Sequence, residues 1–135
     1  MLLGVRKLGA LAFAVATTSC AMLPVRSSTG VRIKRVTIVE SIALEAQQPR
    51  PVELSGAELA PAVELMDRRG VLSLRERAFD GGLLDGSSVS LVIEPADGAP
   101  FAIELDNFRE PHVCGFLRDA VATRLIERLP QTCVE

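Results

Sequence analysis

Three residues late in the chain could carry chemistry together: His112, Cys114 and Cys133. The sequence has a single histidine, and in "HVC" it stands two positions from a thiol. That juxtaposition suggests a Cys–His nucleophile pair or a metal site. Zinc takes four protein ligands in a structural site, or three with one position open. Cys133 brings the inventory to three, but no CxxC or HxxxH spacing accompanies it. A nucleophilic thiol also needs a base and an orienting group delivered by the fold. His112 is therefore expected at the surface, at a helix start, with neither role.

Carboxylates make the second group. Glu104, Asp106 and Glu110 lie close in sequence, and the first two share a strand face. Paired carboxylates perform acid–base chemistry when burial separates their pKa values. A solvated strand face produces the same pattern and is the reading taken. Asp80 and Asp85 sit among glycines in "FDGGLLDGSS". A calcium loop of the EF-hand kind needs oxygen ligands at alternating positions and a closing glutamate, which are missing here. The stretch reads as a turn between strands. No Gly-rich phosphate cradle, G-x-S-x-G elbow or H-E-x-x-H helix is visible. No cofactor and no metal are expected.

The elements that must position these residues follow from periodicity. "VRIKRVTIVESIAL" from Val31 is β-branched and strand-like. Its alternation changes phase between Ile33 and Val36, which predicts a bulge near Arg35 or burial on both faces. "EAQQPRPVEL" is a loop with a short extended piece after Pro51. Ser55 and Glu58 form a capping-box pattern ahead of a helix that Gly70 closes, with Pro61 disturbing its first turn. "VLSLRERAFDGG" is ambiguous: Ser73 and Glu76 suggest a second capping box, whereas Leu72 and Leu74 alternate as in a strand. The strand is favoured.

"SVSLVIE" and "FAIELD" alternate cleanly, and "PADGAP" between them carries an Asp97-Gly98 turn signal. They predict an antiparallel hairpin with Val89, Leu91, Ile93, Phe101, Ile103 and Leu105 inward. In "HVCGFLRDAVATRLIERLP", Val113, Leu117, Ala120, Val121 and Leu125 recur at helical spacing. Pro111 suits the first turn of that helix and Pro130 its stop. The expectation is an α+β domain in the order β-α-β-β-β-α: a mostly antiparallel sheet of about four strands, with two helices on one face.

The beginning of the chain has a different character. Arg6 and Lys7 precede the apolar run Leu8–Ala16, and small polar residues follow up to Cys20. This is the layout of a secretory signal peptide. The run is about half the roughly 20 residues that a helix needs to cross a bilayer. "TTSC" resembles a bacterial lipobox, in which small residues precede a cysteine that receives diacylglycerol. Ser19 suits that box, whereas Thr17 stands where the family usually has leucine. The resemblance implies lipid attachment at Cys20, and Ala21 after it implies outer-membrane delivery, facing the periplasm. The second reading is an ordinary signal cut after Ala21, which leaves a soluble periplasmic protein. The division expected is a signal peptide over 1–19, a tether over 20–30 and one α+β domain over 31–135.

An odd cysteine count in an exported chain needs an explanation. Acylation of Cys20 would supply one and leave Cys114 and Cys133 as a pair. A helix running unbroken to Leu129 would be roughly 22 Å long from Cys114. Four extended steps back to Cys133 span about 14 Å, which puts a bridge at its limit. A disulfide therefore requires a shorter helix or a tail that doubles back. Two separate thiols are the alternative.

After Cys20 there are 13 basic and 17 acidic residues, and from Val36 onward 9 and 17. That balance argues against a nucleic-acid binder, which would carry a basic face. Trp and Tyr are absent and only 5 Phe remain, so platforms that stack sugars or bases are poorly supplied. The basic stretch "RSSTGVRIKR" is read as linker and edge strand. Its alternative is contact with anionic headgroups at about 1 kcal/mol per residue near the surface. The functional expectation is a non-enzymatic binding or assembly module of the bacterial envelope, held at the membrane by lipid and meeting an unidentified envelope protein. A periplasmic carrier of a small apolar ligand ranks second. An enzyme using His112, Cys114 or the Glu104, Asp106 and Glu110 cluster ranks third.

Overall fold

The structure, a computed structural model, describes residues 23–75, 77–82 and 86–135. β-Branched residues place the longest strand, β2 (Arg32–Ile42), at the centre of the chain's architecture. The phase change is a bulge between Ile33 and Arg35, which returns Val36 and Ile38 to the side that Ile33 occupies. Two short strands share one edge of β2: β1 (Val25–Arg26) at its start and β3 (Val52–Leu54) further along, both antiparallel. On the other edge β5 (Ser87–Pro95) pairs antiparallel with β2, and β6 (Phe101–Asp106) with β5. β4 (Ala78–Asp80) closes the sheet, parallel to β6.

Among the described residues the fold is α+β, with a mixed sheet of 6 strands. That corrects the count and order foreseen from sequence: the elements run β-β-β-α-β-β-β-α. Residues 25–26, expected in a tether, are a strand because Val25 pairs with Ile33 and a turn locks behind it. Ser27 N–H donates to the Val31 carbonyl, and Ser28 N–H donates to Asp67. Val71–Leu74 is a 3-10 turn and not a strand. Val71, Leu72 and Leu74 are all buried, more than a two-sided strand could deliver to one core. The strand is confined to Ala78–Asp80, and Glu76 lies outside the described residues.

Helix α1 (Leu59–Arg69) follows a 3-10 turn at Gly56–Glu58. The capping box does not form: the Ser55 hydroxyl turns to Glu53 and caps nothing. Pro61 is tolerated because the first turn has no use for its N–H. Gly70, at φ 68°, closes the helix as expected, its N–H reaching the carbonyls of Asp67 and Met66.

Helix α2 (Pro111–Ala122) stops well before Leu129. Thr123 bonds back to the Asp119 carbonyl, and Arg124 takes a left-handed φ of 61°. Ile126 then re-enters the core. Both devices that a disulfide demanded are present, a shortened helix and a returning tail. Cys114 and Cys133 are bonded, with Cα atoms 5.4 Å apart.

The hairpin forms in the expected register, Val89 opposite Leu105, Leu91 opposite Ile103 and Ile93 opposite Phe101. These inward residues join Leu59, Ala62, Val63 and Met66 of α1 and Val113, Phe116, Leu117 and Ala120 of α2 in one core. Phe116 and Met66 are fully buried in that layer, worth about 1.5–3 kcal/mol each. Residues on the opposite sheet face, among them Thr37, Ser90 and Ala102, remain partly solvated.

Two glycines have a steric task beside Asn107: Gly81 after β4 and Gly86 before β5. Asn107, at the end of β6, holds a left-handed φ of 51°. A Cβ on Gly81 would lie 2.0 Å from the Asn107 carbonyl oxygen, and one on Gly86 2.7 Å from its side chain. Only glycine admits that approach.

Candidate functional site

The chemistry-bearing residues recognised in sequence are dispersed. Glu110 caps α2: its Oε2 accepts the Val113 N–H at 2.8 Å, and its Oε1 lies 2.6 Å from His112 Nδ1. Glu110 is buried, while half of the His112 side chain reaches solvent at the helix start. Cys114 lies in the next turn, but its sulfur belongs to the bond with Cys133 and offers no thiolate to His112. Glu104 and Asp106 stand exposed on the outer face of β6, apart from buried Glu110. Asp80 accepts the Gly82 N–H at 2.7 Å, ordering its own turn. Asp85 and Cys20 lie outside the described residues. Among the described residues, no three His, Cys, Asp or Glu side chains converge to hold a metal.

A different acid forms the best-built polar centre. Glu40 continues the inward row of Val36 and Ile38 on β2, so the strand pleat carries a carboxylate into the core layer. Its side chain is 7% exposed. Two partners meet it from the returning tail: Arg128 Nη2 and the Gln131 N–H, each at 2.7 Å. Next to this pair, Thr132 donates to Ser87 at 2.8 Å, both residues buried. Sequence reasoning passed over Glu40. The signal was present: a lone charge at an inward position of an alternating strand.

Two grooves flank this centre. One, of about 560 Å³, runs between the Pro49–Val52 segment and the tail from Leu125 to Pro130, with Ile38 and Ile126 among its apolar walls. Arg50, Glu127 and Arg128 also line it. The other, wider at about 800 Å³, lies at the end of the sheet where Ile42, Ser87, Asn107 and Arg109 meet Gln131 and Thr132. Beside it Gln48 imitates a strand partner, accepting the Ile42 N–H and donating to the Ile42 carbonyl. Both grooves therefore depend on the tail that the disulfide holds.

On the helix side, Arg69 of α1 grips Asp119 of α2 through two bonds of 2.7 and 2.9 Å. The hydrogen bond from Arg69 holds the Asp119 carboxyl below the usual range for aspartate, against a smaller opposing effect of burial. This pair joins the two helices. No helix among the described residues is long and apolar enough to cross a membrane.

The chain matches no family model, no curated protein and no solved structure. Function must be argued from its own residues.

Proposed function

We propose that this chain is an exported envelope protein, anchored by lipid on Cys20, that acts by contact with a partner and performs no covalent chemistry. The reading is carried by the pairing of Cys114 with Cys133. That bond accounts for two of the 3 cysteines and leaves Cys20, at the end of the leader-like segment, as the remaining thiol. A buried disulfide also suits an oxidising compartment. The dispersal of His112, Glu104, Asp106 and Glu110, with Cys114 covalently engaged, favours contact over catalysis. The layer between helices and sheet is occupied by Phe116, Met66 and Leu117, which leaves the carrier reading without support.

The test is intact-mass measurement on membrane and soluble fractions of cells making the wild type and Cys20→Ser. A cleaved form carrying acyl mass in the membrane fraction, lost in Cys20→Ser, is the expected result. A wild-type chain cut after Ala21 and recovered without acyl groups would overturn the anchor. Cross-linking in intact envelopes then identifies the protein in contact.

A further inference from the structure

The start of the folded body carries an unusual concentration of positive charge. Arg26, Arg32, Lys34 and Arg35 lie within ten residues that contain no acid, while from Val36 onward acids outnumber bases 17 to 9. β1 and β2 turn this sequence cluster into a surface. Arg26 sits directly across from Arg32 in the antiparallel pair, so the two share a face. Arg32 and Lys34 flank inward-pointing Ile33 and therefore both point outward, on the side away from the helices.

Like charges placed opposite one another in a sheet are destabilising. Asp97 answers Arg32 at 2.6 Å, but that aspartate is itself 81% exposed. Arg35 is engaged by Glu53 and Glu94. Among the described residues, no ion pair is formed by Arg26 or Lys34. An anion lying over this edge would relieve the repulsion.

Position in the chain says which anion. Leu23, 62% exposed, opens the described body just ahead of β1. Cys20 precedes Leu23 by three residues, a reach of about 10 Å even when fully extended. The expected eleven-residue tether is thus shortened to a few residues by β1. A body held that closely cannot tumble freely, and the edge nearest its anchor must face the bilayer.

We propose that the outward edge of β1 and β2, with Arg26, Arg32 and Lys34, is a docking surface for the anionic headgroups of the membrane that holds the chain. This rests on the anchored reading above. Each basic residue near an anionic surface adds its own attraction, and three of them orient a tethered body more readily than they would hold a free one. The acidic remainder of the domain is repelled, which sharpens the orientation.

The chain supplies its own probe. Its two lysines are Lys7, in the leader-like segment, and Lys34. Peptide-mapped amine labelling therefore reports Lys34 alone. Protein isolated from membranes is reconstituted into phosphatidylcholine vesicles with or without phosphatidylglycerol, and the labelling rate of Lys34 is compared. The expected result is labelling several-fold slower on the anionic vesicles, restored by high salt and by Arg26→Glu. Equal rates on both compositions overturn the docking surface, and this comparison needs no variant that must fold. Inorganic phosphate in detergent slowing the label as much as the anionic vesicles do would assign an ion site and overturn the membrane as occupant. Intact mass on the same sample reads the anchor separately. Acyl groups present with Lys34 unprotected sink the surface alone. Protection that depends on phosphatidylglycerol, in protein without acyl groups, supports the surface and sinks the anchor.

Discussion

The two ends of the folded body are secured by different chemistry. At the amino-terminal side, residues 25–30 are held by backbone bonds to β2 and by the exposed bond from Ser28 to Asp67. At the carboxyl side, the returning tail is held by a covalent bond, by a buried carboxylate that takes two donors, and by a buried hydroxyl pair. Local pairing suffices where a strand lies beside its own neighbour in sequence. The tail reaches β2 through two bonds, spanning 88 and 91 residues, and β5 through a third spanning 45. One end is built to be replaceable by water, the other to exclude it.

The sharpest way to break the contrast is to remove the disulfide. Closing a loop of this length is worth about 3 kcal/mol, so the double variant Cys114→Ala, Cys133→Ala should lose roughly 2–5 kcal/mol in denaturant melts. Hydrogen exchange should quicken over 123–135 and remain slow over 25–30. Equal loosening of both ends would show that they form a single cooperative unit. A smaller loss is expected from Glu40→Ala, which leaves the part-buried Gln131 N–H without its acceptor. Arg128 is 57% exposed and can turn to water, so the cost should be about 1–3 kcal/mol, below that of breaking a fully buried pair. Urea midpoints of Glu40→Ala and Arg128→Ala separate the two donors, with Glu40→Ala the more damaging.

At the other end, Asp67→Ala removes one exposed bond and should cost about 0.5–1.5 kcal/mol. Exchange at Ser28 to Gly30 should accelerate, and the global midpoint should fall less than in Glu40→Ala. Arg69–Asp119 joins the helices that support the two ends, since α1 carries Asp67 and α2 carries Cys114. The folded-state pKa of Asp119 is depressed, so its contribution is complete above the ordinary aspartate range and fades as pH falls through the lower, folded value. Asp119→Asn should therefore flatten the acid limb of the stability profile and leave neutral pH only slightly weakened, since solvent screens an exposed pair. Melts across pH 2–5 check it.

What the sequence made legible was whatever depended on neighbours. The β5–β6 hairpin, the bulge before Val36 and the Gly70 cap each follow from a short pattern and were found where expected. The disulfide was legible as a geometric condition, which the turn at Thr123 and Arg124 meets. Patterns misled where a distant contact decided. Ser55 and Glu58 have capping-box spacing, yet a 3-10 turn intervenes before α1. Val25 looked like linker because its partner strand lies beyond a turn of hydroxyl residues and glycine. Glu40 was passed over because its donors, Arg128 and Gln131, are remote in sequence.

The parallel pairing of β4 with β6 sets the order in which the molecule assembles. β4 is made before β5 and β6, yet among the described residues its ladder is with β6 alone, Phe79 lying beside Leu105. A chain threaded outward from its amino end would present Ala78–Asp80 to solvent with nothing to pair until some twenty-five further residues had emerged. Non-local pairing of this kind slows folding. The hairpin must be complete before the edge can shut, which makes β4 the latch of the sheet and its brief length a protection while it waits.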